Sequence, residues 1–279
     1  MDNENKSYIK KTNVMNDIPR ITVIMGIYNC ASTLVEALES LEAQTYKRFK
    51  VVLCDDGSKD NTLGVALQWA EAHPNYLVIR NERNIKLAAT LNHCLEYADT
   101  EYVARMDGDD ISLPTRFEKE IDFLDKHSDY AFISCPMAYF DEDGIWKYGK
   151  AKQYPTAQDF KNGAPFCHAP CMVRKSAFDA INGYTAEPRV ERVEDYYMWY
   201  KMYKIGFKGT NLQEILYYMR DNMDAVRRRK FKDRVRAYYI NLEVCKGLGI
   251  KWAHLIAFKN LLKVFVPSFL AQFLRKLRK

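Results

Sequence analysis

The sequence of 279 residues lacks any run of about 18 consecutive apolar residues, the length that a membrane-spanning helix requires. Its first twenty residues are polar and contain no apolar core, so we expect no signal peptide there. Internal repeats and low-complexity segments are also absent. These absences argue against an integral membrane protein, a secreted protein and a repeat array, and they favour a globular fold.

Cysteine and histidine are too sparse for a structural zinc site. The seven cysteines stand at positions 30, 54, 94, 135, 167, 171 and 245, and several of them lie in apolar segments. An odd number in such segments favours reduced, buried thiols and a cytosolic protein. Cys167, His168 and Cys171 are close together in sequence, but they provide too few ligands for zinc.

Acidic residues are scarce at one end of the chain. Residues 225–279 contain 15 Lys and Arg against 2 Asp and Glu, whereas the remainder contains 27 against 34. An acidic body therefore carries a basic tail, and we expect that tail to face an anionic surface. With 48% hydrophobic residues, the chain can form one large domain, or one domain plus an extension.

Four apolar segments of strand length alternate with segments of helical periodicity. The strands are predicted over residues 21–25, 49–54, 76–80 and 102–104. Thr33 and Glu36 have the spacing of a capping box at the start of the first helix. Such alternation is typical of βαβ units, so we expect an α/β fold with a mostly parallel, Rossmann-like sheet and helices on both faces.

The second half of the domain is less regular. Residues 136–154 are predicted to form a hairpin or an irregular excursion, with its turn at 141–144. Residues 193–203 read as an aromatic helix that opens with Glu194 and Asp195, where the helix dipole favours negative charge. Residues 207–219 read as edge strands.

Polar side chains follow three of the predicted strands. The ends of the first, second and fourth strands carry Tyr28, the pair Asp55 and Asp56, and the trio Asp107, Asp109 and Asp110. Right-handed crossovers bring such strand ends to one edge of a sheet, so we expect them to face one crevice. Three close carboxylates repel one another unless a cation lies among them, and their oxygens suit Mg²⁺ or Mn²⁺. The alternative is an acidic, solvated turn that caps a helix.

The order of these motifs resembles family 2 glycosyltransferases with the GT-A fold. The matching segments are residues 22–29, 52–58, 105–114, 168–170 and 194–195. The resemblance covers residues 19–222 and points to bacterial enzymes that build capsular, exopolysaccharide or O-antigen repeat units. It implies a GT-A domain over 19–222, between a flexible tail over 1–18 and a basic, amphipathic helical extension over 223–279.

For the donor nucleotide, the resemblance implies roles for four residues. Tyr28 would pack against the nucleobase, Asp56 would accept the imide hydrogen of uracil, and Asp55 would support that loop. Asp107 would contact the ribose or a water on the metal. The implied donor is therefore a UDP-sugar.

For the metal and the chemistry, the resemblance implies that Asp109 binds Mn²⁺ or Mg²⁺ on the diphosphate, with Asp107 and Asp110 beside it. Asp195 would be the general base that takes the proton of the acceptor hydroxyl, and Glu194 would orient it or touch the acceptor. One base on an element separate from the metal loop suits an inverting displacement. The alternative for Asp195 is a helix N-terminal acid that interacts only with the helix dipole.

Other residues near these motifs have two interpretations each. His168 could be a third metal ligand or an acceptor contact, although a hydrogen-bonded loop histidine is the commoner case. Arg105 and Arg116 flank the acidic loop and could pair with its carboxylates or bind phosphate. Trp199 is expected in the core rather than beneath a sugar. Lys86 stands where the resembled family often has Gly; a cation there could approach the diphosphate or could simply be exposed, and we assign it no catalytic role.

The basic tail is predicted to be helical. Its last helix carries its apolar residues on one face, namely Phe269, Leu270, Phe273, Leu274 and Leu277. We expect it to lie on the cytoplasmic face of the cell membrane, where the resemblance implies a glycan acceptor on a polyprenyl diphosphate. The alternatives are a helix packed on the domain and a nucleic-acid patch, and we find no nucleic-acid recognition module.

We therefore predict a metal-dependent, inverting glycosyltransferase, transferring a hexose or an N-acetylhexosamine in bacterial surface polysaccharide synthesis. A nucleotidyltransferase would need a glycine-rich or basic triphosphate loop, and the sequence has no glycine-rich loop of that kind. A non-catalytic binding protein on the same scaffold, acting through its basic tail, is the remaining alternative. The presence of Asp109 and Asp195 argues against this alternative, because a non-catalytic protein would need neither residue.

Overall fold

A large β-sheet with helices on both faces forms the centre of the protein. The computed structural model describes residues 18–221 and 231–262. The strands in chain order are β1 (Ile21–Ile27), β2 (Phe49–Asp55), β3 (Tyr76–Arg80), β4 (Tyr102–Arg105), β5 (Ile111–Ser112), β6 (Phe132–Ser134), β7 (Ala138–Asp141), β8 (Gly144–Tyr148), β9 (Met172–Arg174), β10 (Gly209–Asn211) and β11 (Tyr217–Arg220). The α-helices are α1 (Leu34–Glu42), α2 (Thr62–Ala72), α3 (Leu87–Leu95), α4 (Arg116–Lys126), α5 (Lys175–Ala180), α6 (Glu194–Lys204), α7 (Phe231–Gly247) and α8 (Ala253–Leu262).

Seven strands form the large sheet, in the order β10-β6-β9-β4-β1-β2-β3. Strand β1 pairs in parallel with both β2 and β4, and β2 pairs in parallel with β3. Only β9 runs antiparallel to its neighbours, β4 and β6. The predicted α/β fold with a mostly parallel sheet is confirmed. The carboxyl ends of β1, β2 and β4 consequently meet at one edge.

Both faces of the sheet are buried, which explains the continuous apolar runs in its strands. Val23 and Met25 of β1 belong to one core cluster, and Ile24 between them belongs to the other. Helices α1 and α4 contribute to the first cluster, and helices α3, α6 and α7 contribute to the second. A strand covered on both faces has no solvent side, so it need not alternate apolar and polar residues.

A second sheet of four strands, in the order β5-β11-β7-β8, packs beyond the acidic turn. Strands β7 and β8 form the predicted hairpin, whose turn has Gly144 at φ 110°. The prediction of edge strands over residues 207–219 is only half right. Strand β10 is at the edge of the large sheet, but β11 lies between β5 and β7 because both its backbone edges find partners.

The aromatic helix α6 belongs to the core, as predicted. Trp199 is fully buried, and its ring stacks on Phe132 with centroids 4.5 Å apart. Helices α7 and α8 pack against this region through buried residues such as Val244 and Ala253. The basic run at 227–230 and the predicted last helix lie outside the described residues. Over residues 18–221 and 231–262, no helix combines the length and apolarity that crossing a membrane requires.

Candidate active site

The turn after β1 is tied to the turn after β2. Tyr28 follows β1 and is 42% exposed. Asn29, at a φ of 50°, accepts the backbone N–H of Lys59 on its side-chain oxygen (2.8 Å). Its own backbone N–H donates to the hydroxyl of Ser58 (3.0 Å). These two bonds hold the turn that carries Tyr28 next to the turn that follows β2.

Asp55 stabilises the turn that follows β2. Its carboxylate is fully buried, accepts the backbone N–H of Ser58 (3.3 Å) and lies 3.5 Å from Nε of Arg80. Gly57 has a φ of 67°, and a Cβ at that position would lie 2.8 Å from the backbone carbon of Arg83. Only glycine therefore lets this turn approach the segment before α3.

Asp56 holds that neighbouring segment in place. Its carboxylate is 4% exposed and accepts three hydrogen bonds, from Asn81 Nδ2 (3.0 Å) and from the backbone N–H groups of Ile85 (2.8 Å) and Lys86 (3.1 Å). A carboxylate has about four acceptor positions, so one position remains for a ligand donor. The local sequence had shown no sign of these three internal donors.

The three predicted metal residues lie together in the turn between β4 and β5. One side-chain oxygen from each of Asp107, Asp109 and Asp110 lies within 4.8 Å of the other two. Gly108 lets this turn pack on the end of β1 and the turn after it, because a Cβ there would lie 3.1 Å from Cγ2 of Ile27 and 2.8 Å from Sγ of Cys30. The sequence prediction that these carboxylates form one cluster is consistent with this geometry.

Side chains far away in sequence hold the acidic turn. The backbone N–H of Arg220 in β11 donates to Oδ1 of Asp110 (2.8 Å), and its Nε donates to the carbonyl of Asp109 (2.9 Å). The second sheet thus orients the turn through β11. Sequence reasoning missed Arg220, because no local pattern joins residues 110 positions apart.

The predicted capping box at Thr33 and Glu36 is wrong. Thr33 makes no side-chain cap bond and donates instead to the carbonyls of Gly108 (3.0 Å) and Cys30 (3.2 Å). Glu36 forms an ion pair with the guanidinium of Arg220. Both side chains stabilise the acidic turn. Thr33 satisfies the carbonyl of Gly108, and Glu36 pairs with Arg220, the arginine that holds the turn.

The acidic turn is fit to hold a divalent cation. Although Asp109 lies at the surface, desolvation and the charge of Asp107 raise its pKa to about 6, while Arg105 opposes the shift. Burial and the charges of Asp107 and Asp109 raise the pKa of Asp110 well above its usual value. Oδ2 of Asp110 is buried and makes no hydrogen bond within the described ranges. Crowded carboxylates with an unsatisfied oxygen match the all-oxygen coordination of Mg²⁺ or Mn²⁺.

Glu194 and Asp195 open helix α6, as predicted. Burial raises the pKa of Glu194, the charge of Asp195 adds to the shift, and Arg105 opposes it. Burial also raises the pKa of Cys167 to about 11, and it raises the pKa of Tyr184 well above its usual value. The charge of Asp195 adds to both shifts. Asp195 therefore lies in the neighbourhood of these two residues.

Arg105 connects the two acidic groups. It is buried, and its guanidinium forms an ion pair with the carboxylate of Asp107. Its charge opposes the upward pKa shifts of both Asp109 and Glu194, so it lies within electrostatic range of each. Of the two interpretations of Arg105, pairing with the acidic turn is the one that its contacts support.

Arg116 fits neither interpretation. It is fully buried and donates to the backbone carbonyls of Arg105 (3.0 Å) and Cys171 (3.2 Å), and its Nε lies 3.3 Å from the carboxylate of Glu120. It stabilises the end of β4 through these backbone carbonyls, and it has no exposed atoms that could bind a phosphate.

His168 has a protein partner. Its Nε2 is 2.8 Å from the hydroxyl of Tyr184, and it is not part of the three-carboxylate group. Burial and then the charge of Arg105 lower its pKa well below the usual value, so the ring is neutral. These contacts favour a hydrogen-bonded loop histidine over a metal ligand.

A cavity of about 540 Å³ opens between the end of β1, the start of α3 and the start of α6. Its lining comes from Tyr28 and Asp56, from residues within 84–90 at the start of α3, and from residues within 185–194, including Glu194. This volume is in the range of small-molecule and cofactor sites. The structure thus brings three of the predicted site residues, Tyr28, Asp56 and Glu194, to one space.

Comparison with known proteins gives related sequences. The family model of Glycosyl transferase family 2 matches residues 22–181. EpsE of Bacillus subtilis (strain 168), a protein assigned as a glycosyltransferase, is 40% identical over 256 residues, covering 91% of this chain and 92% of EpsE. The UDP-Gal:alpha-D-GlcNAc-diphosphoundecaprenol beta-1,3-galactosyltransferase of Escherichia coli is 30% identical over 220 residues, covering 77% of this chain and 78% of that enzyme.

Two solved structures share the fold. Residues 1–349 of S. aureus TarS in complex with UDP-GlcNAc give a TM-score of 0.67 at 20% identity, covering 87% of this chain and 70% of that one. The mannosyltransferase PcManGT of Pyrobaculum calidifontis, in complex with GDP-Man and Mn²⁺, gives a TM-score of 0.62 at 18% identity, covering 96% of this chain and 82% of that one. At these identities the likeness concerns the fold alone, which agrees with the GT-A architecture.

Proposed function

The chain belongs to glycosyl transferase family 2 and is a glycosyltransferase, and from that premise we propose that it moves a sugar from a UDP-sugar to a lipid-linked glycan. The observation that carries the proposal is a cavity whose lining includes Tyr28, Asp56 and Glu194 together. Transfer requires the nucleotide and the acceptor-side acids to share one space. The E. coli relative is named for UDP-Gal and for GlcNAc-diphosphoundecaprenol, and TarS was solved with UDP-GlcNAc, which supports a uridine donor and a lipid-linked acceptor.

On the donor side, Tyr28 packs against the uracil ring, and the remaining acceptor position of Asp56 takes its imide N–H. Asp55 keeps the turn in shape through Ser58. Asp107, Asp109 and Asp110 hold Mn²⁺ or Mg²⁺, and when bound the cation neutralises the charge on the departing diphosphate. PcManGT, which shares the fold, was solved with Mn²⁺.

On the acceptor side, Asp195 takes the proton of the acceptor hydroxyl as that oxygen bonds to the anomeric carbon and the bond to UDP breaks. The half-buried Glu194 beside it orients the base. Asp195 and the acidic turn are on separate elements, which supports an attack in line with the departing bond and an inverted anomeric configuration.

We further propose that the extension over 223–279 attaches the GT-A domain over 19–222 to the cytoplasmic face of the cell membrane. Helix α8 and Trp252, which directly precedes it, support this, because Trp252 is 74%, Leu255 63% and Phe258 52% exposed, whereas Ala253 and Ala257 are buried. An exposed apolar face on a basic segment suits an anionic membrane interface. The E. coli relative acts on a lipid-linked acceptor by name, and such an acceptor lies in a membrane.

A donor screen tests the enzymatic part. The chain is incubated with UDP-, GDP- and dTDP-sugars and a polyprenyl diphosphate carrying GlcNAc, with Mn²⁺ or with EDTA, and the product is examined by NMR. We expect transfer from one UDP-sugar, loss of transfer in EDTA, and an inverted anomeric centre. Transfer from a GDP- or dTDP-sugar instead, or a retained configuration, would contradict the proposal. No turnover of any donor would favour the non-catalytic alternative.

Vesicle flotation tests the membrane part. The triple variant Trp252→Ser, Leu255→Ser, Phe258→Ser is compared with Tyr148→Ser, which alters an aromatic residue 66% exposed on β8. We expect only the triple variant to lose binding to vesicles that contain anionic lipid. Equal flotation of both variants would exclude α8 as the contact.

A further inference from the structure

Two cationic side chains line the cavity, those of Lys86 and Arg192. In the part of the chain that the structure describes, neither charge has an ion-pair or hydrogen-bond partner. Two acids of the same lining are paired elsewhere: Glu187 with Arg189 (2.7 Å) and Glu191 with Arg236 (3.4 Å).

The other two acids of the lining, Asp56 and Glu194, are withdrawn from the surface. Asp56 already accepts three N–H groups. Oε2 of Glu194 is buried and has no hydrogen-bond partner among the described residues, and burial raises the pKa of this carboxyl, which favours its neutral form. Lys86 and Arg192 are therefore the exposed charged groups of the lining that have no partner among the described residues, and they suit an anionic ligand.

The backbone at both positions is unusual for residues with side chains. Lys86 has φ 78° and ψ 158°, and Arg192 has φ 73°. The first conformation is almost restricted to glycine, because a Cβ makes it strained. Asp56 holds Lys86 there by accepting its backbone N–H (3.1 Å). A glycine would relieve the strain, so the presence of lysine points to a role for its side chain.

We infer that Lys86 and Arg192 bind the diphosphate of the nucleotide-sugar donor. Both share the cavity with Tyr28 and Asp56, so a nucleobase at those residues brings its phosphates to the same space. Charge-assisted hydrogen bonds from ammonium and guanidinium groups to phosphate are among the strong ones. The inference rests on the proposed function, because a nucleoside diphosphate donor is part of it. It adds two phosphate ligands that are independent of the acidic turn and its cation.

The test compares UDP with uridine, which lacks the phosphates, and is run in EDTA so that no divalent cation contributes. UDP affinity is measured by calorimetry, and uridine affinity by ligand-observed NMR. We expect Lys86→Gly, Lys86→Met and Arg192→Gly each to weaken UDP binding about tenfold and to leave uridine binding unchanged. Lys86→Gly should also melt at or above the temperature of the parent, because the strain is relieved.

Asn182→Gly is the matched control, because it removes a side chain at another positive φ (53°) away from the cavity. It should leave UDP binding unchanged. Parent-like UDP affinity in the three variants would overturn the inference, as would an equal loss for UDP and uridine. A rise only in the KM of the lipid-linked acceptor would assign the two cations to the acceptor diphosphate instead. If the parent itself fails to bind UDP with or without Mn²⁺, the proposed donor fails, a result distinct from the others.

Discussion

Replacing Asp109 by asparagine removes one of three crowded charges and keeps the size of the side chain. The pKa of Asp109 is about 6 in the folded protein, against 3.8 for an ordinary aspartate. The folded state therefore binds this proton more tightly than the unfolded state, and the stability of the metal-free parent falls as the pH rises from about 4 to about 6. Asparagine has no such charge, so the variant escapes this loss.

The size of the effect follows from the shift. A fully buried group with this shift would cost roughly 3 kcal/mol above pH 6, and the surface position of Asp109 reduces this to about 1 kcal/mol. At pH 7.5 without metal, Asp109→Asn should therefore melt about 2–4 °C above the parent. With Mn²⁺ at about 100 times its Kd, the parent gains about 2.7 kcal/mol, and the variant should lose most of that gain.

The assay is thermal unfolding from pH 4 to 8, in EDTA and in Mn²⁺. Asp125→Asn is the control, because its hydrogen bond with Arg20 holds the pKa of Asp125 below the usual value. Its carboxylate stabilises the fold above its unfolded pKa, so this variant should be less stable at pH 7.5, with the Mn²⁺ gain intact. If Asp109→Asn is instead destabilised in EDTA and keeps the full gain in Mn²⁺, the carboxylates are not the cation's ligands.

Two further predictions concern the base and the buried ion pair. Asp195→Asn should lower kcat by about 10²–10⁴-fold and leave UDP affinity within about twofold, and a loss of kcat below tenfold in steady-state assays would contradict a general base. Arg116→Met leaves the fully buried Glu120, whose pKa is raised to about 7 by burial, without its cation, and should cost about 3–5 kcal/mol in urea unfolding. Adding Glu120→Leu to it should recover most of that loss, and equal instability of the single and double variants would refute the account of this pair.

The features that the sequence predicts well are those encoded in neighbouring residues. The apolar runs of β1, β2, β3 and β4 were predictable because both faces of the sheet are buried. Almost every residue of such a strand is therefore apolar. The acidic turns come directly after β2 and β4. Both strands pair in parallel with β1, so their ends lie at the same edge of the sheet. The cluster of Asp107, Asp109 and Asp110 was predictable for the same reason.

The features that were missed depend on long-range partners. Strand β11 pairs with β5 and brings Arg220 to the acidic turn, although more than a hundred residues separate them. Thr33 and Glu36 have the local spacing of a capping box, but the carbonyl of Gly108 and the guanidinium of Arg220 attract them more strongly than the helix terminus does. The strained conformation of Lys86 depends in the same way on a carboxylate thirty residues earlier in the chain.

The central claim is that one cavity receives the nucleotide at Tyr28 and Asp56 and presents its sugar to Asp195. A crystal structure with an intact UDP-sugar and Mn²⁺ tests it most directly. The account predicts uracil on the ring of Tyr28, the diphosphate at Asp109 and Lys86, and the carboxylate of Asp195 on the side of the anomeric carbon opposite the diphosphate. A uracil ring bound away from Tyr28, or an anomeric carbon with no path to Asp195, would contradict it.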